Sequence, residues 1–287
     1  MVRNDGNIST PDGQAILGAA SNAVYLAAST DPSLRGLYME VQDGQNTGTV
    51  INGATGQITA ERGNITLAGL VVNQRGKLSA TTSVSANGSI YLIAGNNLTG
   101  TASLNTNPLD PDGKPTAFGG MLPDNGGQLV LGAGSVTQVT PDTGSDGTIT
   151  GTQLASFIGS QVELAARNIT LEGNAAILAP GGSVNAYASS NPRALVNTPT
   201  KMDADTDGTI YLDSASVIDV SGLENVAARA TDNIIAVTLE TNDLQDDPLL
   251  RDGFLHGSTV YVDVTRSPTL FDITPTRTTS RATSARS

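Results

Sequence analysis

A five-residue phrase recurs along the chain: Gly or Ser, a polar residue, then apolar residues alternating with other residues. It stands at Gly63-Asn64-Ile65-Thr66-Leu67, Gly88-Ser89-Ile90-Tyr91-Leu92, Gly127-Gln128-Leu129-Val130-Leu131 and Ser160-Gln161-Val162-Glu163-Leu164. It returns at Gly182-Ser183-Val184-Asn185-Ala186, Gly208-Thr209-Ile210-Tyr211-Leu212 and Ser258-Thr259-Val260-Tyr261-Val262. Counted at Ile65, Ile90, Leu129, Val162, Val184 and Ile210, the spacings are 25, 39, 33, 22 and 26 residues. A weaker phrase follows at Gly76-Lys77-Leu78-Ser79-Ala80, Gly134-Ser135-Val136 and Ala175-Ala176-Ile177-Leu178-Ala179. Alternation with period two predicts short strands with one face buried. The Gly, Asn and Asp punctuation predicts tight turns, some with positive φ.

Short strands at a quasi-regular spacing fit the coils of an all-β, right-handed parallel β-helix. No single coil can bury its inward face alone, so coils must stack, joined by backbone hydrogen bonds along the axis. About ten coils would make a rod on the order of 50 Å long. The longer spacings place inserted loops at about 100–125, 141–157 and 189–207, the first carrying Pro108-Leu109-Asp110-Pro111-Asp112-Gly113. An antiparallel sandwich or barrel also shows strands at short intervals. The repetition of the phrase itself favours the solenoid. Residues 13–29 are Ala-rich, but Gly18 and Val24-Tyr25-Leu26-Ala27-Ala28 read as a strand between turns rather than a helix. The shaft is thus expected over 1–265, and 266–287 is expected to be a disordered Thr/Ser/Arg tail.

Composition supports a thin, layered β architecture. Aromatic residues are 3% of the chain, Trp is absent and Gly numbers 32 of 287. Charged residues are 15%, against roughly 25% in an average soluble protein. The formal net charge of -12 gives no electrostatic footprint for nucleic acid. No apolar run approaches the ~20 residues of a membrane span. Cysteine is absent, which removes disulfides, thiolate catalysis and cysteine-bound metals. It also suits a chain that crosses a periplasm and an outer membrane unfolded.

The segment 208–264 opens Gly-Thr-Ile-Tyr-Leu-Asp-Ser-Ala-Ser-Val-Ile-Asp-Val-Ser-Gly-Leu and closes on Arg251-Asp252-Gly253-Phe254-Leu255-His256-Gly257-Ser258-Thr259-Val260-Tyr261-Val262-Asp263-Val264. With the phrases Gly63-Asn64-Ile65-Thr66-Leu67 and Ala166-Arg167-Asn168-Ile169-Thr170-Leu171, it resembles the interior of filamentous haemagglutinin-like large exoproteins of Gram-negative bacteria. The resemblance covers most of residues 20–265. It implies a right-handed parallel β-helix, export by two-partner secretion through an outer-membrane barrel, and adhesion to a protein or glycan on a host or neighbouring cell. The secretion domain and leader of that family are not seen, so the expectation is a shaft fragment of a longer secreted or cell-surface parent.

The sharpest local motif is Asp203-Ala204-Asp205-Thr206-Asp207-Gly208. Oxygen ligands at positions 1, 3 and 5 with Gly at 6 match the start of a Ca²⁺ loop, making Asp203, Asp205 and Asp207 the candidate metal ligands. Position 12, where a bidentate carboxylate belongs, is Ser214, and Asp213 comes one residue early. A polar turn leading into the Gly208 strand is the competing reading. The alternative function is a carbohydrate-active β-helix hydrolase or lyase, suggested by Asp243, Asp246, Asp247 and His256. An inverting pair must stand ~6.5–9.5 Å apart across a sugar. Groups crowded into one short stretch do not come from successive coils, so the reading is of a non-catalytic protein without a resident cofactor.

Overall fold

A computed structural model describes residues 1–29, 34–42, 48–83, 86–97, 123–142, 159–192, 207–222, 234–238 and 257–263. Their elements are all strands, most of them paired in parallel. The chain divides into two units, Met1–Ile149 with Gln153–Glu224, and Thr150–Thr152 with Asn225–Ser287.

In the first unit the chain visits three sheets in a fixed order, A then B then C, and begins again. Sheet A holds β1 (Val2–Asn4), β6 (Thr49–Asn52), β9 (Val71–Gln74), β13 (Gln128–Leu131), β16 (Asn168–Leu171) and β19 (Thr209–Leu212). Sheet B holds β2 (Asn7–Ser9), β7 (Gln57–Ala60), β10 (Lys77–Thr82), β14 (Val136–Pro141), β17 (Ala176–Leu178) and β20 (Val217–Asp219). Sheet C holds β3 (Gln14–Gly18), β8 (Asn64–Gly69), β11 (Ser89–Asn96), β15 (Gln161–Ala166) and β18 (Ser183–Ala188), with β12 (Asn125–Gly126) antiparallel to β11. This connectivity is compatible with a β-helix.

The register stacks like on like. In sheet A the inward row runs Val2, Val50, Val72, Leu129, Ile169, Ile210. In sheet B it runs Ile8, Ile58, Leu78, Thr137, Ile177, Ile218. In sheet C, Ala15, Ile65, Ile90, Val162 and Val184 form the matching row. Ile58, Ile65, Leu78, Ile90 and Leu129 are fully buried in one continuous core. A polar row runs beside it. Asn4 Nδ2 donates to Asn52 Oδ1 at 2.8 Å, and Asn52 Nδ2 donates to Gln74 Oε1 at 2.8 Å. The next three places in that row are Leu131, Leu171 and Leu212.

Rounds number six in sheets A and B, where about ten coils were expected. Copies of the recurring phrase lie on two faces of the same round. Those at 63–67, 88–92, 160–164 and 182–186 are in sheet C, while 127–131 and 208–212 are in sheet A. The weaker phrases at 76–80, 134–136 and 175–179 fall in sheet B. A stronger and a weaker phrase can therefore belong to one round, and counting both kinds as coils overcounts. Five spacings of ~4.8 Å give a stack about 24 Å deep.

Corner geometry explains the glycine that heads most copies of the phrase. A Cβ on Gly63 would run into the carbonyl oxygen of Gly13, the equivalent corner one round earlier. The A-to-B corners of later rounds need a left-handed residue, and Gly134 (φ 72), Asn174 (φ 61) and Ala215 (φ 63) occupy that place. All A-to-B corners are short. Insertions leave only from the other two corners: between β3 and β6, β11 and β13, and β18 and β19 at the C-to-A corner, and between β14 and β15 at the B-to-C corner. Most of the loops expected at 100–125, 141–157 and 189–207 lies outside the described residues. So do the tail 266–287 and the stretch around Asp243, Asp246, Asp247 and His256.

Of the first insertion, residues 19–29, 34–42 and 48 are described. It contains β4 (Ala23–Ala28) and β5 (Leu37–Gln42), an antiparallel hairpin. The strand expected at 24–28 exists, but it joins this hairpin and none of the parallel sheets.

In the second unit, β21 (Ile234–Thr238) and β22 (Thr259–Asp263) form a two-stranded antiparallel sheet, pairing Ile235 with Val262 and Val237 with Val260. The phrase copy at 258–262 thus lies in an antiparallel ladder.

Candidate functional site

The outer face of sheet C sets it apart from A and B. Strands β8 and β11 are buried on both faces, so side chains that alternation assigns to solvent are covered. Their cover is β5, whose Tyr38, Met39 and Val41 pack with Leu34 against Ala68, Tyr91, Ile93 and Ala165. Met39 Sδ fills the place where a Cβ on Gly18 would stand, so a side chain there would push the hairpin away. Tyr91 is the largest fully buried side chain of the described residues.

Two carboxylates are held in this layer. Glu40 is 3% exposed and Glu163 is 1% exposed, unusual burial for acids. Glu163 stands opposite Tyr91 in the β11–β15 ladder and accepts a 2.8 Å hydrogen bond at Oε1 from Asn185 Nδ2. Burial pushes the Tyr187 phenol above its ordinary pKa, and the Glu163 charge adds to the rise. Tyr38 is raised in the same way, by burial first and by Glu40 second. Each acid therefore acts electrostatically on its own tyrosine. A small recess lined by Met39, Glu40, Ala68, Ile93, Asn97 and Pro123 has about 10 Å³ of room, barely that of one water molecule. Among the described residues this is a packed layer.

A second polar node lies at the B-to-C corner. Arg62, itself in a left-handed conformation, forks onto Asp12 with contacts of 2.6 and 2.9 Å. Its remaining nitrogen reaches Asp142 Oδ2 at 2.6 Å. The guanidinium so tied holds the Asp12 carboxyl below the ordinary range, and its own pKa rises above normal. Arg35, between β4 and β5, donates to the carbonyl oxygens of Arg62 and Asn87. One corner thus gathers the hairpin insertion, three rounds of the stack and the root of the insertion that follows Asp142.

Of the proposed Ca²⁺ ligands, Asp203 and Asp205 lie outside the described residues. Asp207 pairs with Arg167 at 2.6 Å, both side chains about half exposed. Strand β19 then runs extended from Thr209 to Leu212, so Asp207 and Asp213 stand at its opposite ends. At ~3.3 Å per residue that strand alone spans about 13 Å. Asp213 instead accepts the Ser214 N–H within its own corner. No group of three or more potential metal ligands occurs among the described residues.

The sequence pattern did not mark Glu40, Glu163, Tyr38 or Tyr187. Glu163 occupies the outward place of a repeat phrase, where a solvated acid is expected. The one available signal is Tyr91, a bulky aromatic at the same outward place one round earlier.

Compared with known proteins, the chain matches no family model, no curated protein and no solved structure.

Proposed function

We propose that the chain is a non-catalytic shaft segment of a secreted or cell-surface adhesin of the filamentous haemagglutinin-like kind, wound as a right-handed parallel β-helix. Handedness rests on sterics: crossovers between parallel strands of one sheet are right-handed in about 98% of cases. The observation that carries the functional reading is the division of labour around the stack. Sheets A and B continue through six strands with short corners between them, while insertions leave from the corners that flank sheet C. A regular stack whose insertions leave from the corners flanking one sheet suits many weak contacts along a surface better than one deep pocket. Export through an outer-membrane barrel and a host or neighbouring-cell protein or glycan as ligand belong to the same proposal. A loop-stabilising Ca²⁺ at Asp203, Asp205 and Asp207 would be accessory to it.

Beads coated with the chain at graded densities and washed over cultured epithelial cells and Gram-negative bacteria test the reading. Retention should climb steeply with coating density, as multivalent attachment requires. Retention equal to albumin-coated beads at every density on both surfaces would overturn it.

A further inference from the structure

The β4–β5 hairpin is fastened to the stack near both ends of β5. At the B-to-C corner the Gln14 side chain pairs with the main chain of Leu37 much as a neighbouring strand would. Its Nε2 donates to Leu37 O at 2.6 Å, and Leu37 N donates to its Oε1 at 2.8 Å. Asn64 Nδ2 donates to Arg35 O at 2.6 Å, and Arg35 in turn reaches the carbonyl oxygens of Arg62 and Asn87. At the C-to-A corner Asn97 N donates to Val41 O at 2.9 Å. Between these fastenings Met39 and Val41 join Ala68, Tyr91 and Ile93 in one apolar cluster.

Both fastenings also hold the roots of other insertions. Arg62, which Arg35 grips by its carbonyl, bonds Asp142, where the insertion after β14 departs. Asn97, where the insertion after β11 departs, accepts at Oδ1 from Asp124 N on the returning side of that insertion, at 3.1 Å. A separate observation shows that the closed layer carries a cost. Thr66 lies on the covered outward face of β8, opposite Ile16 and Tyr91, and is wholly buried. Its hydroxyl has no hydrogen-bond partner. Burying a hydroxyl without a partner is unfavourable, and lifting the hairpin would return this one to water.

We propose that the hairpin is a strap that opens and closes over sheet C as one unit while the stack stays folded. Its closure fixes the insertion roots at both corners together. The strap is held at two polar ends over a small apolar middle, whereas β8 and β11 are each bonded to a strand on either side. Such an element opens at lower free energy than the strands beneath it. When it lifts, Asn97 N loses Val41 O and Arg62 loses the grip of Arg35 in the same event. The two corners are thus coupled through one two-state element. The strap works in this way whatever the displayed insertions bind.

Amide hydrogen exchange of the full chain, resolved by NMR, tests this. In the parent chain the β5 amides of the hairpin ladder and the Asn97 amide should share one opening constant. That constant should exceed the one for amides inside β8 and β11 by about tenfold or more. Gln14→Ala removes two bonds at the B-to-C corner and should raise it about tenfold, at Asn97 as much as in β5. Thr66→Val removes the unpartnered hydroxyl and should slow exchange at the same amides about fivefold. Exchange at Asn97 unmoved by Gln14→Ala overturns the proposal, because the two corners would then open independently. Equal opening constants for β5, β8 and β11 in the parent chain also overturn it, since the hairpin would then leave only when the stack unfolds. So does β5 exchange that Thr66→Val fails to slow.

Discussion

At the residue scale the most informative feature is the change from amide to leucine along one buried row. Asn4, Asn52 and Gln74 satisfy one another, with Gln74 Nε2 also reaching the carbonyl oxygens of Gly76 and Val136. Three rounds later the same place is filled by leucine. Both solutions work because each is consistent along its own stretch. Mixing them does not. Asn52→Leu strands the Asn4 donor and the Gln74 acceptor, and a buried group left without its partner costs about 1–3 kcal/mol. The single substitution should therefore lower stability by about 2–4 kcal/mol in urea unfolding. The triple variant Asn4→Leu/Asn52→Leu/Gln74→Leu should recover most of that loss. A triple variant weaker than the single would show that the row is held by something other than its own continuity.

At the scale of elements, the corner node around Arg62 links segments that the sheets alone do not join. Its fork onto Asp12 depresses the folded-state pKa of that carboxyl. A carboxyl depressed on folding adds stability above its unfolded pKa of ~3.9, and that stability fades as pH falls through the folded value. Stability should then decline below about pH 4 in the parent chain, and this part of the decline should shrink in Arg62→Met. Asp12 is largely exposed, so added salt should mute the difference. Acid unfolding profiles of the two proteins that superimpose at low salt would remove Arg62 as the link. The node also marks where reading by sequence stops. Alternation and corner glycines made many strands of the three sheets visible from β8 onward, as at Gly63-Asn64-Ile65-Thr66-Leu67. Strands β1, β2, β3, β6, β7 and β9 carry no copy of the phrase and went unmarked. Nothing local shows that Ala23–Ala28, which alternates equally well, pairs antiparallel with Leu37–Gln42. Partner choice there depends on a hairpin docking on Ala68, Tyr91 and Ile93, side chains that belong to other rounds. The burial of Glu40 and Glu163 has the same origin, since a one-dimensional pattern cannot tell an outward face from a covered one.

For the first unit as a whole, stacked rounds contact mainly their neighbours, so its stability is close to a sum of round and interface contributions. Insertions should then be separable from the stack wherever their roots are not part of it. The insertion between β11 and β13 supplies a case in which the boundary can be drawn. Its C-terminal root is built into the sheets: β12 pairs with β11, Asp124 N donates to Asn97 Oδ1 at 3.1 Å, and Gly126 N donates to Ser190 O at 2.8 Å. Asn125 Nδ2 adds a 2.8 Å bond to Asn96 Oδ1. Removing residues 101–120 and closing the gap with a short Gly/Ser linker spares all of these contacts. The β circular-dichroism signal and the melting temperature should be retained, while bead attachment falls if the loop carries contact residues. Extending the deletion through Gly126 removes the β12 pairing and the bridge to Ser190, and the melting temperature should drop. If the shorter deletion alone abolished the β signal, the insertion would have to be counted as part of the stack, and a scaffold separable from its displayed loops would no longer describe this protein.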